Sequence, residues 1–260
     1  MKKVLTAALL CAVSAFATWD YFPVKPAGKG EVKAGVVYMM QDKLSGLGIN
    51  AGARFSVIEG LEIAAMLNFP ITWSYDGDSC SDFNDSDECP PSFSQPTIGL
   101  RYWLPMGLGI ALDVDLPFQG KAEGDNDGAN LTFTPAVQYS TKFTEELELG
   151  SQVSFSIPLE NGNKETPEME LGIGLELDYS LGLVTPYVGV DVALQLTKPQ
   201  YDGKDIPGAK TATGIIPKVG AIFTFNEMFG ADAGVAFGIG EDYFGEEMPI
   251  LISANFSFFF

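Results

Sequence analysis

Six carboxylates, Asp113, Asp115, Glu170, Glu176, Asp178 and Asp191, alternate with apolar residues in a 260-residue chain that contains no histidine. Carboxylates can act as acid and base, as metal ligands, or as fixed negative charge. Acid-base work near neutral pH usually recruits histidine, and there is none. Asp113 and Asp115 remain as a pair, but two residues on one face of a strand stand about 7 Å apart, as they do on any polar strand face. A resident metal is not indicated, because its commonest ligand is missing and no CxxC pair replaces it. No enzyme, no cofactor and no metal is therefore expected. What remains is electrostatics: a wall of negative charge that favours cations, with Arg101 and Lys218 the bases best placed to temper it.

Two more charge pairs follow from turn positions. A turn over Val57 to Glu59 centred on Ile58 sets Arg54 opposite Glu62, and one centred on Glu145 sets Lys142 opposite Glu148. Opposed cross-strand charges contribute roughly 0.2–1 kcal/mol each, so bracing is the plain role of these four residues.

These residues share a face only if strands with a period of two carry them. Twelve alternating segments do so: 30–41, 47–56, 60–73, 96–104, 107–117, 129–143, 146–158, 167–180, 182–197, 212–225, 228–239 and 249–260. In 107–117, Leu108, Ile110, Leu112, Val114 and Leu116 oppose Gly109, Ala111, Asp113 and Asp115. The neighbouring small residues on the acidic face, Gly172, Gly174, Gly189 and Ala193, predict a thin wall and an open bore. Links after the even-numbered segments are tight, whereas 74–95, 118–128, 159–166, 198–211 and 240–248 are long and hold 17 Asp or Glu against 5 Lys. The first outer link, Asp42 to Gly46, is short. The stretch Asp82–Glu88 lacks the glycine and distal glutamate of an EF-hand loop, so it reads as a solvated acidic loop.

The ends of the chain set the compartment. Met1-Lys2-Lys3, an apolar run from Val4 to Val13, and Ala15-Phe16-Ala17 read as a secretory leader over residues 1–17. Losing Lys2 and Lys3 takes the formal charge from −19 to about −21, which argues against nucleic acid as a partner. In an oxidising compartment Cys80 and Cys89 are expected to form a disulfide, contributing about 2–3 kcal/mol. At the other end, Ile250 to Phe260 alternates and closes on an aromatic. This strand resembles the C-terminal strand of bacterial outer-membrane β-barrels, in which assembly machinery reads such an end, and Phe260 would be that insertion signal.

The resemblance implies an all-β, up-and-down antiparallel transmembrane barrel of about twelve strands in the bacterial outer membrane, with short periplasmic turns and long extracellular loops. Its partners would be outer-membrane lipid, lipopolysaccharide, the barrel assembly machinery and a small-molecule solute. An inner aromatic girdle is expected from Phe55, Tyr102, Trp103, Tyr139, Phe143, Tyr179, Phe225 and Phe229, and an outer one from Phe69, Trp73, Phe118, Phe155 and Tyr243. Gly52-Ala53-Arg54-Phe55, Gly60-Leu61-Glu62-Ile63 and the strand ends at Pro70, Pro117 and Pro158 resemble the phenol-degradation transporter-like family of outer-membrane barrels. Barrel enzymes that need histidine are excluded by composition.

The expected organisation is a leader at 1–17, an N-terminal periplasmic segment or lumen plug at 18–29, and a barrel at 30–260. Two functions follow. One is a channel or uptake porin for small neutral or cationic solutes, lined by the six carboxylates with Arg101 and Lys218. The alternative is a non-transporting structural or adhesive barrel that acts through its acidic loops.

Overall fold

The computed structural model describes residues 20–76, 78–79, 94–117 and 129–260, with the backbone alone at 78 and 79. The leader, the Cys80–Cys89 disulfide, Phe118 and most of the acidic loop 74–95 lie outside the described residues.

Twelve long strands form one sheet. They are β1 (Gly30–Gln41), β2 (Leu44–Ile58), β3 (Leu61–Tyr75), β4 (Thr97–Leu104), β5 (Leu108–Asp115), β6 (Thr132–Lys142), β7 (Leu147–Pro158), β8 (Glu170–Tyr179), β9 (Val184–Gln195), β10 (Thr213–Thr224), β11 (Phe229–Phe237) and β12 (Ile250–Phe259). Each pairs antiparallel with its neighbours in sequence. The sheet closes on itself because β12 also pairs with β1, from Glu31 opposite Phe259 to Met40 opposite Ile250. Closure leaves no unpaired edge in the wall, the condition for a sheet to cross a membrane.

The alternation is inside-out. On β4, Ile98, Leu100 and Tyr102 are 50%, 47% and 45% exposed, while Thr97, Arg101 and Trp103 are 5%, 0% and 8% exposed. A soluble sandwich would bury the first set. Here the apolar face meets lipid and the polar face meets the lumen.

Links alternate as read from the sequence, with local differences. The first outer link is shorter than expected, only Asp42 and Lys43, and Asp42 takes a left-handed φ of 49° to make it. The long links carry structure of their own. Glu165–Thr166 and Lys204–Asp205 both pair with Gln200–Tyr201, so the loops after β7 and β9 join. The link between β11 and β12 forms a one-turn helix, α1 (Glu241–Phe244).

Two register irregularities on the β2–β3 hairpin move side chains that straight counting misplaces. Near Ile71 the pairing steps from Gly48–Pro70 to Leu47–Thr72, which reverses the phase of β3 above that point. Trp73 therefore points inward, against Met39, Leu251 and Phe244, and not into the outer girdle. At the inner end a two-residue turn, Glu59-Gly60 with Gly60 at φ 80°, and a bulge at Val57 set Arg54 opposite Ala64 and Ser56 opposite Glu62. The expected Arg54–Glu62 opposition is thereby corrected.

Candidate functional site

The inner half of the lumen is an ionic network built on strand pairs. Glu62 lies opposite Arg101 across β3 and β4, and their side chains, both fully buried, meet at 2.8 Å. Arg54 lies opposite Glu31 across β1 and β2 and binds it at 2.7 Å. Lys218 on β10 reaches Glu176 at 2.9 Å and Asp191 at 3.3 Å. Lys33 holds Asp232 at 3.0 Å. Lys142 and Glu148 are directly opposed, at 3.8 Å, with the Ser140 hydroxyl donating to the same carboxylate.

Residues 20–29 run through this network. The Asp20 carboxylate binds Arg54 at 2.6 Å and Arg101 at 3.3 Å, while Arg101 also donates to the backbone carbonyls of Asp20 and Phe22. Gln138 on β6 donates to the Asp20 carbonyl and to Gln152. Tyr21, 2% exposed, donates its hydroxyl to Asp191 on β9 at 2.5 Å. The segment therefore bridges β2, β4 and β6 on one side to β9 on the other. Enclosure opposes ionisation of Asp20, but the Arg54 and Arg101 guanidiniums outweigh it and hold the carboxyl well below its usual range. Burial, with Asp191 beside it, pushes the Tyr21 phenol up, so it remains a donor.

The outer half is different in kind. Met39, Trp73, Ile216, Phe244 and Leu251 pack into an apolar cluster drawn from β1, β3, β10, α1 and β12. Gln41 ties α1 down by donating to the carbonyls of Phe244 and Glu247. Tyr243, expected in the outer girdle, instead turns inward and donates to Glu170 at 2.6 Å. Burial and the neighbouring Glu170 raise its phenol well above the usual range.

Of the inward glycines expected to open the bore, Gly109 and Gly174 seat rings and Gly189 lies under the Lys218 chain, while Gly220 seats a further ring. A Cβ on Gly109 would lie 2.5 Å from the Trp103 ring, one on Gly174 2.3 Å from the Tyr21 hydroxyl, and one on Gly220 2.4 Å from that of Tyr187. Trp103 accordingly belongs to the lumen, sharing the face of Arg101, and not to the inner girdle. One recess of about 70 Å³ is lined by Asp20, Glu31, Lys33, Arg54, Ala64 and Met66, room for a few waters only.

The six carboxylates are therefore not one ring. Glu176 and Asp191 share Lys218; Asp115 accepts from Thr97; Glu170 accepts from Tyr243; Asp113 is buried. Asp178 carries a buried Oδ1 with no hydrogen-bond partner. Sequence reading did not single out Asp20, Gln138, Gln152 or Tyr187. The only available signal was parity for the last three, which fall on the inward phase of their strands.

A closed barrel, apolar outside and ionic inside, is a bacterial outer-membrane β-barrel. Residues 21–247 match the family described as "Putative MetA-pathway of phenol degradation", and the chain belongs to that family. Its fold is shared with the COG4313 outer membrane channel from Pseudomonas putida F1, at a TM-score of 0.69 and 13% identity over 93% of this chain and 98% of that one. It also resembles the translocator domain of the autotransporter NalP from Neisseria meningitidis, with TM-score 0.56 and 12% identity over 97% and 96% of the chains. The KdgM porin gives 0.51 and 9% over 86% and 98%. No curated protein matches the chain in sequence.

Proposed function

We propose that the barrel is a narrow, non-enzymatic channel for small neutral or cationic solutes, held in a constricted state by residues 20–29. The observation that carries this reading is the charge balance of the lumen. Arg54, Arg101, Lys33 and Lys218 are each bound to carboxylates of the chain, yet Asp115, Glu170 and Asp178 have no basic partner among the described residues. Uncompensated carboxylates in a confined aqueous path favour cations. Family membership and the shared fold of a solved outer-membrane channel support the same reading.

Planar-bilayer recording of the refolded protein under a KCl gradient is the test. Conductance steps with a cation-selective reversal potential are expected, and replacing Asp115, Glu170 and Asp178 by Asn, Gln and Asn should move that potential toward zero. Unchanged selectivity in the triple variant would sink their role.

A second reading is favoured by the ionic network at the inner mouth and the apolar cluster at the outer. In it the barrel is a non-transporting surface protein acting through exposed acidic loops such as Glu241, Asp242, Glu246 and Glu247. A folded barrel with no conductance, even after residues 20–29 are deleted, would favour it. In either case outer-membrane lipid, lipopolysaccharide and the assembly machinery are the surrounding partners, the last through Phe260.

A further inference from the structure

The chain's own cations show how this lumen holds positive charge. Lys218 lies 4.6 Å from the centre of the Tyr21 ring while binding Glu176 and Asp191. Lys25 lies 4.3 Å from the Phe259 ring and 3.5 Å from Glu31. Arg101 lies 5.7 Å from the Trp103 ring and 2.8 Å from Glu62. In each case a ring face and a carboxylate together replace the water that a cation loses on entering the barrel.

A further set of the same parts has no internal cation. Tyr187 on β9 lies across Gly220 and Gly234, which are themselves opposed on β10 and β11; a Cβ on either would come within 2.4 Å of its hydroxyl. That seat holds the ring along the wall, half-buried. Directly opposite Tyr187 across β8 and β9 is Asp178, whose Oδ1 is buried without a hydrogen-bond partner. Asp178 is also directly opposite Glu148 across β7 and β8. Like charges so opposed are destabilising unless positive charge lies near. Glu148 has Lys142 at 3.8 Å, and Lys218, on β10 two strands from Asp178, is already bound to Glu176 and Asp191. Among the described residues no lysine or arginine lies over the Tyr187 ring.

We infer that Tyr187 and Asp178 form a subsite for the ammonium group of an organic cation, with the ring face and the carboxylate taking the place that Tyr21, Glu176 and Asp191 occupy around Lys218. The inference deepens the channel reading and rests on it for the solute's route to the site. It narrows the solute class from small cations to organic amines and quaternary ammonium compounds. A bare alkali ion gains less from a ring face and keeps more of its water.

The test is a calorimetric titration of the refolded protein with benzyltrimethylammonium, using benzyl alcohol as the uncharged control. Saturable binding of the cation and none of the alcohol is expected. Asp178→Asn and Tyr187→Leu should each weaken binding about tenfold or more, and Tyr187→Phe, which keeps the ring and its seat, should bind within about twofold of the parent. Heat-modifiable gel mobility confirms that each variant is folded. No binding by the parent protein, or equal binding by parent, Asp178→Asn and Tyr187→Leu, overturns the subsite. Bilayer recording separates it from the reading beneath it: a folded barrel that binds the cation in this pattern but never conducts removes the channel and leaves the subsite, whereas a conducting barrel that does not bind does the reverse.

Discussion

The Tyr21 hydroxyl donates to the Asp191 carboxylate across 170 positions of sequence, at 2.5 Å. This bond ties the N-terminal segment to β9, while Asp20, one residue away, is tied to Arg54 on β2 and Arg101 on β4. Two adjacent residues thus brace the lumen from opposite walls. Losing a hydrogen bond to a charged acceptor costs about 1.5–3 kcal/mol, so Tyr21→Phe should free the segment for part of the time. The expected result in bilayer recordings is a noisier channel of higher mean conductance, with deletion of residues 20–29 giving a larger and steady increase. Identical traces for parent and deletion would show that the segment does not limit flow.

The ionic pairs should differ sharply in what they contribute. Arg101 and Glu62 are both fully buried at 2.8 Å, so Glu62→Gln or Arg101→Ala strands a charge in the wall and should cost roughly 3–5 kcal/mol. Lys142 and Glu148 meet at 3.8 Å with Lys142 64% exposed, and Lys142→Ala should cost no more than about 1 kcal/mol. Denaturant unfolding of the refolded barrel reads both. Equal costs would mean that the lumen is wetter than its packing indicates.

Strand number, direction, closure and the inward phase of the charges were legible because alternation is strict where one face meets lipid. The misplacements come from features with no periodic signal. A single bulge at Ile71 reverses the phase beyond it and carries Trp73 inside; the Val57 bulge and the two-residue turn beside it set Arg54 opposite Ala64, two residues along β3 from Glu62. Trp103 is different, since its parity with Arg101 was in the sequence and the expectation of an aromatic girdle overrode it. Gly109, Gly174 and Gly189 were wrongly read as space, because the side chains that fill them, Trp103, Tyr21 and Lys218, come from neighbouring strands and from the N-terminal segment. Trp103 reaches Gly109 across a single hairpin, but Tyr21 reaches Gly174 over about 150 positions and leaves no mark on local pattern.

Acid should not release the N-terminal segment. The Asp20 carboxyl is held below its usual range by Arg54 and Arg101. A carboxylate with a lowered folded-state pKa contributes fully above its unfolded value, about 3.9, and loses that contribution only as pH falls through the lower folded one. Protease resistance of residues 20–29 should therefore be unchanged between about pH 7 and pH 4.5. Asp20→Asn should lose the protection at every pH. Release of the segment in the parent near pH 5 would contradict the anchoring assigned to Asp20.

The glycine seats give the most direct handle on the constriction. A methyl group on Gly174 would stand 2.3 Å from the Tyr21 hydroxyl and 2.7 Å from Asp191 Oδ1, so Gly174→Ala cannot coexist with the Tyr21–Asp191 bond in its present place. The barrel itself should tolerate the change, because β8 keeps its backbone pairing to β7 and β9 on either side. Overpacking costs typically about 1–3 kcal/mol, and the contact that yields should be the one held by a single hydroxyl, not the sheet. The expected phenotype is a folded, heat-modifiable barrel whose N-terminal segment is cut by protease and whose conductance approaches that of the 20–29 deletion. Gly182→Ala meets nothing within 4 Å and serves as the control at a turn, although its φ of 87° makes it mildly strained. If Gly174→Ala leaves the segment protected, Tyr21 reaches Asp191 by a route other than over this glycine, and the ring-on-glycine account of the narrow bore fails with it.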